Sequence, residues 1–323
     1  MKTRVVTAPE GLQEAAKLLA AGELVALPTE TVYGLGAAAL DPLACAKIFE
    51  AKERPLSDPL IVHLPDLEWL ERLARPNELA IRLVEEFWPG PFTMVLPRTK
   101  LVPDLVTSGK NTVALRMSAH PIFRQIAHIY GKPIAAPSAN RFGRISPTAA
   151  PHVMTELGGR ISLIVDGGRC VHGLESTIVL VRDQAVEILR HGPITKERLS
   201  EFGIVLPGDA HILTPGSMES HYAPRTPLMI SCFEPAHADL SDIESMRWPK
   251  RTGMLLWSRS GEEFEFVEYL SHKQDLREAA ANLYGAMRRL DEAGLDLIVA
   301  EAVPEIGLGV AIMERLRKAA ARE

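Results

Sequence analysis

The chain has only three cysteines in 323 residues, Cys45, Cys170 and Cys232, odd in number and far apart. No CxxC pair or Cys/His ladder of zinc spacing accompanies them, so a disulfide framework and a zinc module are both excluded. No run approaches the ~20 apolar residues of a membrane span. The opening MKTRVVTAPEGLQEAAKLL lacks the apolar core and small-residue cleavage site of a secretory signal. The expectation is a reduced, cytoplasmic compartment with thiols that pack and no membrane association. Positive charge is not in excess either. Lys and Arg total 36 against 41 Asp and Glu, a formal net charge of −5. That disfavours a dedicated nucleic-acid binder and leaves room for a local basic cleft.

Several chemistry-bearing motifs are missing as well. The GK pairs, Gly109-Lys110 and Gly131-Lys132, are followed by Asn111 and Pro133 rather than Ser or Thr, which excludes a P-loop. There is no GxGxxG after a strand, no HExxH and no GxSxG elbow. A bound phosphate would therefore have to be held by Arg, Lys and Ser side chains.

What is present suits a folded protein of two domains: 46% hydrophobic and 24% charged residues. Residues 9–21 place Leu12, Ala15, Leu18 and Leu19 on one helical face, with Gly22 as a stop. Leu24–Leu27 reads as a short buried strand ending at Pro28. Further strands are expected at 60–64, 92–96, 112–117, 134–136, 161–165, 176–181 and 185–189, the last two forming a hairpin around residues 182–184. Helices are expected near 42–51, 76–87, 120–130 and 148–158. Crossovers mixed with a hairpin predict an α/β domain with a mixed parallel and antiparallel sheet. Residues 206–228 are rich in proline and glycine and read as a linker or ordered loop. Beyond it a smaller α/β unit is expected, with strands at 253–258, 264–270 and 296–300. A helix opened by a capping box at Ser271 and a final helix at 308–321 complete it. The Gly307-Leu308-Gly309 turn resembles a nucleotide-fold turn but ordinarily serves structure.

Four clusters in the first domain combine strand ends, tight-turn residues and polar groups. Pro28 to Gly36 (PTETVYGLG) follows a buried strand, the usual ligand edge of an α/β sheet, and its Pro and Gly residues predict a bent backbone. Lys52 and Arg54 stand two apart before Pro55, so an extended segment would aim both cations to one side, as suits phosphate oxygens. Asp58 and His63 follow. A histidine inside an apolar strand is ordinarily a packed core residue. Arg116 closes the apolar strand Thr112–Leu115 and requires either an internal carboxylate or an anionic ligand. Finally, Ala135–Asn140 (AAPSAN) with Ser146 combines small residues, which allow close backbone approach, with Ser and Asn hydrogen-bonding groups. Gly173–Thr177 and Arg190–Pro193 repeat the pattern.

The runs PTETVYGLG, KxRP with PLIVH, TVALR, APSAN and GLESTI together resemble the threonylcarbamoyl-AMP synthase family with its YrdC-like domain, over roughly residues 8–205. The linker PGSMESHYAP and the unit after it resemble the two-domain branch. The resemblance implies a twisted mixed sheet in a YrdC-like catalytic domain (1–205), a linker over the active site (206–228) and a small α/β domain (229–323). It also implies synthesis of threonylcarbamoyl-AMP and pyrophosphate from L-threonine, bicarbonate and ATP. Magnesium (Mg2+) would accompany ATP as cofactor, with no metal held by a dedicated protein cage. Downstream threonylcarbamoyl-transferase proteins would pass the group to tRNA, without stable nucleic-acid binding by this chain.

Carried over residue by residue, Thr31, His63, Arg116, Ala136 and Ser176 fall where the family contacts threonine or its carbamate. Arg54, Asp58, Thr112, Ser138, Ser146, Arg190 and Tyr222 fall where it contacts ATP. Lys52 belongs with the ATP set, and Lys52 and Arg54 would stabilise charge in the transition state. This chain departs from the pattern at Asp58, where Asn is commoner, and at Met218 and Ser220, where the linker is commonly basic. The competing readings are a carbamoyltransferase using a YrdC-like domain, an RNA-binding module and a nucleotide sensor.

Overall fold

The structure, a computed structural model, describes residues 2–208, 221–231, 249–257 and 264–321. Contacts divide them into two units: residues 2–142 with 146–208, and residues 143–145 with the described residues from 221 onward. Cys232, Met218 and Ser220 lie outside the described residues. Among the described residues no helix is long and apolar enough to cross a membrane.

The first unit holds eleven strands: β1 (Arg4–Thr7), β2 (Val25–Leu27), β3 (Gly34–Ala38), β4 (Ile61–His63), β5 (Phe92–Pro97), β6 (Thr112–Arg116), β7 (Ile134–Ala135), β8 (Leu163–Asp166), β9 (Thr177–Val181), β10 (Ala185–Arg190) and β11 (Ile204–Pro207). They form one sheet in the order β1-β8-β2-β3-β7-β4-β6-β5-β9-β10-β11. Five neighbouring pairs run parallel and five antiparallel, so the sheet is mixed as expected. The central strands are buried on both faces, which accounts for their unbroken apolar runs.

The helices follow from periodicity and caps. α1 (Glu10–Ala20) buries Ala15, Ala16 and Leu19, and α2 (Pro42–Lys52) starts where the Asp41 carboxylate accepts from the Leu43 N–H. After α3 (Glu68–Leu73), α4 (Glu78–Phe87) buries Leu79, Ala80, Leu83, Val84 and Phe87, and Asn77 caps it by accepting from the Ala80 N–H at 2.8 Å. α5 (Asp104–Thr107), α6 (Pro121–Tyr130), α7 (Ala150–Leu157) and α8 (Lys196–Leu199) complete the unit.

Two expectations are corrected here. The glycines of PTETVYGLG do not shape a turn. Gly34 and Gly36 lie in β3, antiparallel to β2, and a Cβ on Gly36 would stand 3.1–3.2 Å from Leu27, Ile134 and the Val25 carbonyl. They are glycines because neighbouring chains approach closely. Lys52, in turn, is not in an extended segment. It is the last residue of α2, and Glu53 caps that helix in the left-handed conformation at φ 56°.

The second unit carries β12 (Leu228–Ser231), β13 (Thr252–Leu256), β14 (Phe266–Tyr269), α9 (Leu276–Glu292), β15 (Leu297–Glu301) and α10 (Leu308–Ala320). Its four strands form a parallel sheet in the order β12-β15-β13-β14. The expected capping box at Ser271 is not formed. Asp275 caps α9, accepting from the Arg277 and Glu278 N–H groups, while Ser271 accepts from Lys273 and Asp275 in the preceding turn. Gly309 is structural: a Cβ there would lie 1.8 Å from the Pro304 carbonyl oxygen.

Candidate active site

Strand register brings three predicted residues, His63, Arg116 and Arg190, into one row. His63 of β4 lies beside Arg116 of β6, Arg116 beside Thr93 of β5, Thr93 beside Ile178 of β9, and Ile178 beside Arg190 of β10. Side chains connect the row's far end. The Thr93 and Ser176 hydroxyl oxygens are 2.7 Å apart, and Arg190 donates through Nε and Nη2 to the Ser176 carbonyl at 3.1 and 2.9 Å. Arg190 Nη2 also donates to Ser176 Oγ at 3.1 Å. A bulge between Ile188 and Arg190 shifts the register just before this contact.

At the other end Arg116 is buried and paired. Its Nη2 donates to Glu30 Oε1 at 2.7 Å and its Nε to the Gly90 carbonyl at 3.3 Å. Ser118 Oγ donates to the other Glu30 oxygen. Burial alone would push the Glu30 carboxyl up. The Arg116 charge and the bonds from Ser118 and Arg116 outweigh it and hold the pKa at about 2. His63 is buried, its Nδ1 has no hydrogen-bond partner among the described residues, and its ring centroid lies 4.7 Å from that of Phe123. Burial, reinforced by the Arg116 charge, lowers its pKa to about 3, so the imidazole is neutral at physiological pH.

A second cluster gathers the cations. Lys52 Nζ is buried and donates to the Ser138 carbonyl at 2.6 Å and to the Asn140 carbonyl. Burial, then the Arg54 charge, pulls its pKa well below the ordinary lysine value, against the attraction of Asp58 and Glu156. Arg54 donates through Nε to the Asp58 carbonyl at 3.1 Å and through Nη2 to the Pro59 carbonyl at 2.8 Å, and it pairs with Asp58 Oδ1 at 2.9 Å. Asp58 Oδ2 is buried with no hydrogen-bond partner among the described residues. Burial raises the Asp58 pKa against the pull of Arg54, Lys52, Lys110 and Arg190.

Backbone pairing ties the PTETVYGLG and APSAN segments together. Leu35 N–H donates to the Pro137 carbonyl at 2.7 Å, Ala139 N–H to the Tyr33 carbonyl at 2.8 Å, and Tyr33 N–H to the Pro147 carbonyl at 2.8 Å. This sets Ala136, half-buried Ser138 and fully buried Ser146 near one another in the fold, and Ser146 Oγ has no partner among the described residues. Thr31 is buried, its hydroxyl 2.8 Å from that of Thr29. Thr112 is half-buried at the start of β6.

This chain resembles known proteins along nearly its whole length. The family described as "Telomere recombination" (Sua5_yciO_yrdC) matches residues 17–192, and "Threonylcarbamoyl-AMP synthase, C-terminal domain" matches residues 194–321. The threonylcarbamoyl-AMP synthase of Bacillus subtilis is 41% identical, covering 96% of this chain and 92% of the relative. That of Pyrococcus abyssi is 39% identical, covering 98% and 97%. The chain belongs to the threonylcarbamoyl-AMP synthase family.

A crystal structure of P. abyssi Sua5 complexed with L-threonine superposes with a TM-score of 0.88 at 38% identity, covering 98% of each chain. Membership in the threonylcarbamoyl-AMP synthase family, in its two-domain branch, agrees with the large mixed sheet and the smaller parallel one. Of the residues singled out from sequence, the first unit joins His63 to Arg116 by register, Ser176 to Arg190 by hydrogen bonds, and Lys52 to Ser138. Tyr222 belongs to the second unit, buried at φ 62° with its ring stacked on Tyr284 at 5.7 Å. Sequence reasoning missed Glu30, Ser118 and Thr93. The one available signal was Arg116 itself, which as a buried cation demanded an internal or bound anion without saying which.

Proposed function

We propose that this chain synthesises threonylcarbamoyl-AMP and pyrophosphate from L-threonine, bicarbonate and ATP, as a nucleotidyltransferase serving tRNA modification in the cytoplasm. The observation that carries the reading is the row at Arg116. Its guanidinium is held by Glu30 and Gly90, and its Nη1 makes no hydrogen bond among the described residues. A fixed, half-engaged guanidinium suits an amino-acid carboxylate. Full-length similarity to a protein crystallised with L-threonine supports the same choice of substrate.

In this reading Arg116 binds the threonine carboxylate, and neutral His63 with Thr31, Ala136 and Ser176 surrounds the rest of the amino acid. Arg54, Asp58, Thr112, Ser138, Ser146 and Arg190 serve ATP. Threonine's amine and bicarbonate condense to a carbamate with loss of water. A carbamate oxygen attacks the α-phosphorus and pyrophosphate leaves with the bond's electron pair. The protein's part is electrostatic: Arg54 and Arg190 stabilise growing charge on phosphoryl oxygens. Lys52, which belongs with Arg54 in this role, donates to the carbonyls of Ser138 and Asn140 and so fixes the segment that carries Ser138. No dedicated general base is invoked.

Magnesium fits one observation. The unpartnered Asp58 Oδ2 is a hard oxygen donor, and no group of three or more His, Cys, Asp or Glu able to hold a metal occurs among the described residues. A magnesium ion would rest on Asp58 and the nucleotide's phosphates, supplying charge neutralisation. Downstream threonylcarbamoyl-transferase proteins would consume the product.

The test is pyrophosphate release from ATP with and without L-threonine and bicarbonate, with mass detection of the adenylate. Release should require both co-substrates. Release indifferent to threonine would overturn the reading.

A further inference from the structure

Glu30 touches no substrate in the reading above, yet its carboxylate is bound directly to Arg116. Its carboxylate is buried, and each oxygen has a separate donor: Oε1 takes Arg116 Nη2 at 2.7 Å and Oε2 takes Ser118 Oγ. The backbone on either side of Glu30 is held as well. Its carbonyl accepts from the His172 N–H at 2.9 Å, and Thr29 Oγ1 accepts from the Thr31 and Val32 N–H groups at 3.1 and 3.2 Å. Ser118 Oγ in turn accepts from the His120 N–H at 3.2 Å, fixing its rotor so that the hydroxyl hydrogen is left for Glu30. Arg116 thus has two of its three nitrogens tied to fixed acceptors, and the plane of the guanidinium is determined.

We propose that Glu30 is a positioning residue for L-threonine: through the chain Ser118–Glu30–Arg116 it sets the plane in which Arg116 Nη1 meets the substrate carboxylate. This rests on the reading of Arg116 as the carboxylate ligand. Two opposed effects make it testable. By charge alone, an anion beside Arg116 repels a second carboxylate, so removing it would tighten threonine binding. By positioning, removing it frees the guanidinium to tilt away from the substrate carboxylate and weakens that contact. The structure favours positioning. Nε and Nη2 of Arg116 are both held on fixed acceptors, the Gly90 carbonyl and Glu30 Oε1, so losing Glu30 releases one of two anchors.

Isothermal titration of the full-length chain with L-threonine, on wild type and Glu30→Gln, reads the difference. Glutamine keeps the shape but loses the charge and one acceptor. The expected result is a Kd for L-threonine raised on the order of tenfold or more, with the Kd for ATP unchanged. Binding of L-threoninamide, which has no carboxylate for Arg116, should be the same in both proteins. A merely structural role would weaken all three ligands together. Threonine binding that is unchanged or tighter in Glu30→Gln overturns the proposal. Ser118→Ala, which removes only the second donor to Glu30, should weaken threonine binding in the same direction but less. If Glu30→Gln does not fold, unchanged threonine affinity in Ser118→Ala overturns it instead. Failure of the wild type to bind L-threonine would count against the substrate assignment, not against Glu30.

Discussion

His63 and Arg116 lie side by side in register on parallel strands, and only the arginine carries charge at neutral pH. Two cations at that distance would repel each other in a dry site, and burial settles the matter by discharging the imidazole. His63 therefore offers a neutral polar ring beside a fixed cation.

A histidine whose pKa falls from 6.5 to about 3 on folding binds fewer protons when native, so its contribution to stability is lost as pH falls through that window. Glu30, lowered from 4.5 to about 2, extends the loss to lower pH. Urea denaturation should show stability falling by up to ~1.4 kcal/mol per pH unit below pH 6 on account of His63. His63→Gln should flatten the slope between pH 6 and 4. Threonine affinity should not titrate near pH 6.5, and a midpoint there would contradict a neutral His63.

Arg54 and Asp58 form a buried ion pair, so losing one partner should cost more than losing both. Arg54→Ala should destabilise by about 3–5 kcal/mol. Asp58→Asn should cost less, since the amide oxygen still accepts from Arg54. Burial already raises the Asp58 pKa, and without Arg54 it rises further. The stability of Arg54→Ala should therefore fall as pH rises from acid to neutral. Denaturation midpoints of the two variants at pH 5 and 7.5 check both statements.

Gly192 presses on the backbone that carries Ser176. A Cβ there would lie 2.5 Å from the Thr177 nitrogen, 2.6 Å from the Glu175 carbonyl oxygen and 2.8 Å from the Ser176 carbonyl carbon. Gly192→Ala should displace residues 175–177 and break the Ser176–Arg190 contact. The expected outcome is a loss of at least tenfold in threonine-dependent pyrophosphate release, on the scale of about 1.4 kcal/mol in the barrier. Turnover near that of the wild type would show that this contact is dispensable.

Asn77 provides a control away from the site. Its side chain caps α4 and donates to the Arg182 carbonyl at 3.0 Å. Asn77→Ala should cost about 1 kcal/mol of stability from the cap and leave the Kd for L-threonine and ATP unchanged.

The elements read best from sequence were those whose evidence is local. α4 and α6 carry apolar faces at helical spacing, α2 has Asp41 and Pro42 at its start, and the hairpin at 182–184 joins two apolar runs; each lies within about two residues of its expected place. Pro28–Gly36 reads from sequence as a bent backbone, and β3 is not legible there because Gly34–Ala38 has no β-branched residue. Its strand conformation comes from pairing with β2 and β7. The helix starts one turn beyond the capping box expected at Ser271, because Ser271 and Asp275 have similar local capping chemistry.

The chain's own letters determined that Arg116 must meet an anion, that phosphate binding cannot use a P-loop, and which segments bear the polar residues. Those follow from burial cost and motif spacing, which are local quantities. Tertiary structure alone decided that the anion beside Arg116 is Glu30, 86 residues away, and that Lys52 points at the Ser138 and Asn140 carbonyls. It also decided that His63, Arg116, Thr93 and Arg190 share one row. Pairing partners of that kind are set by the register of non-adjacent strands, which no local pattern encodes.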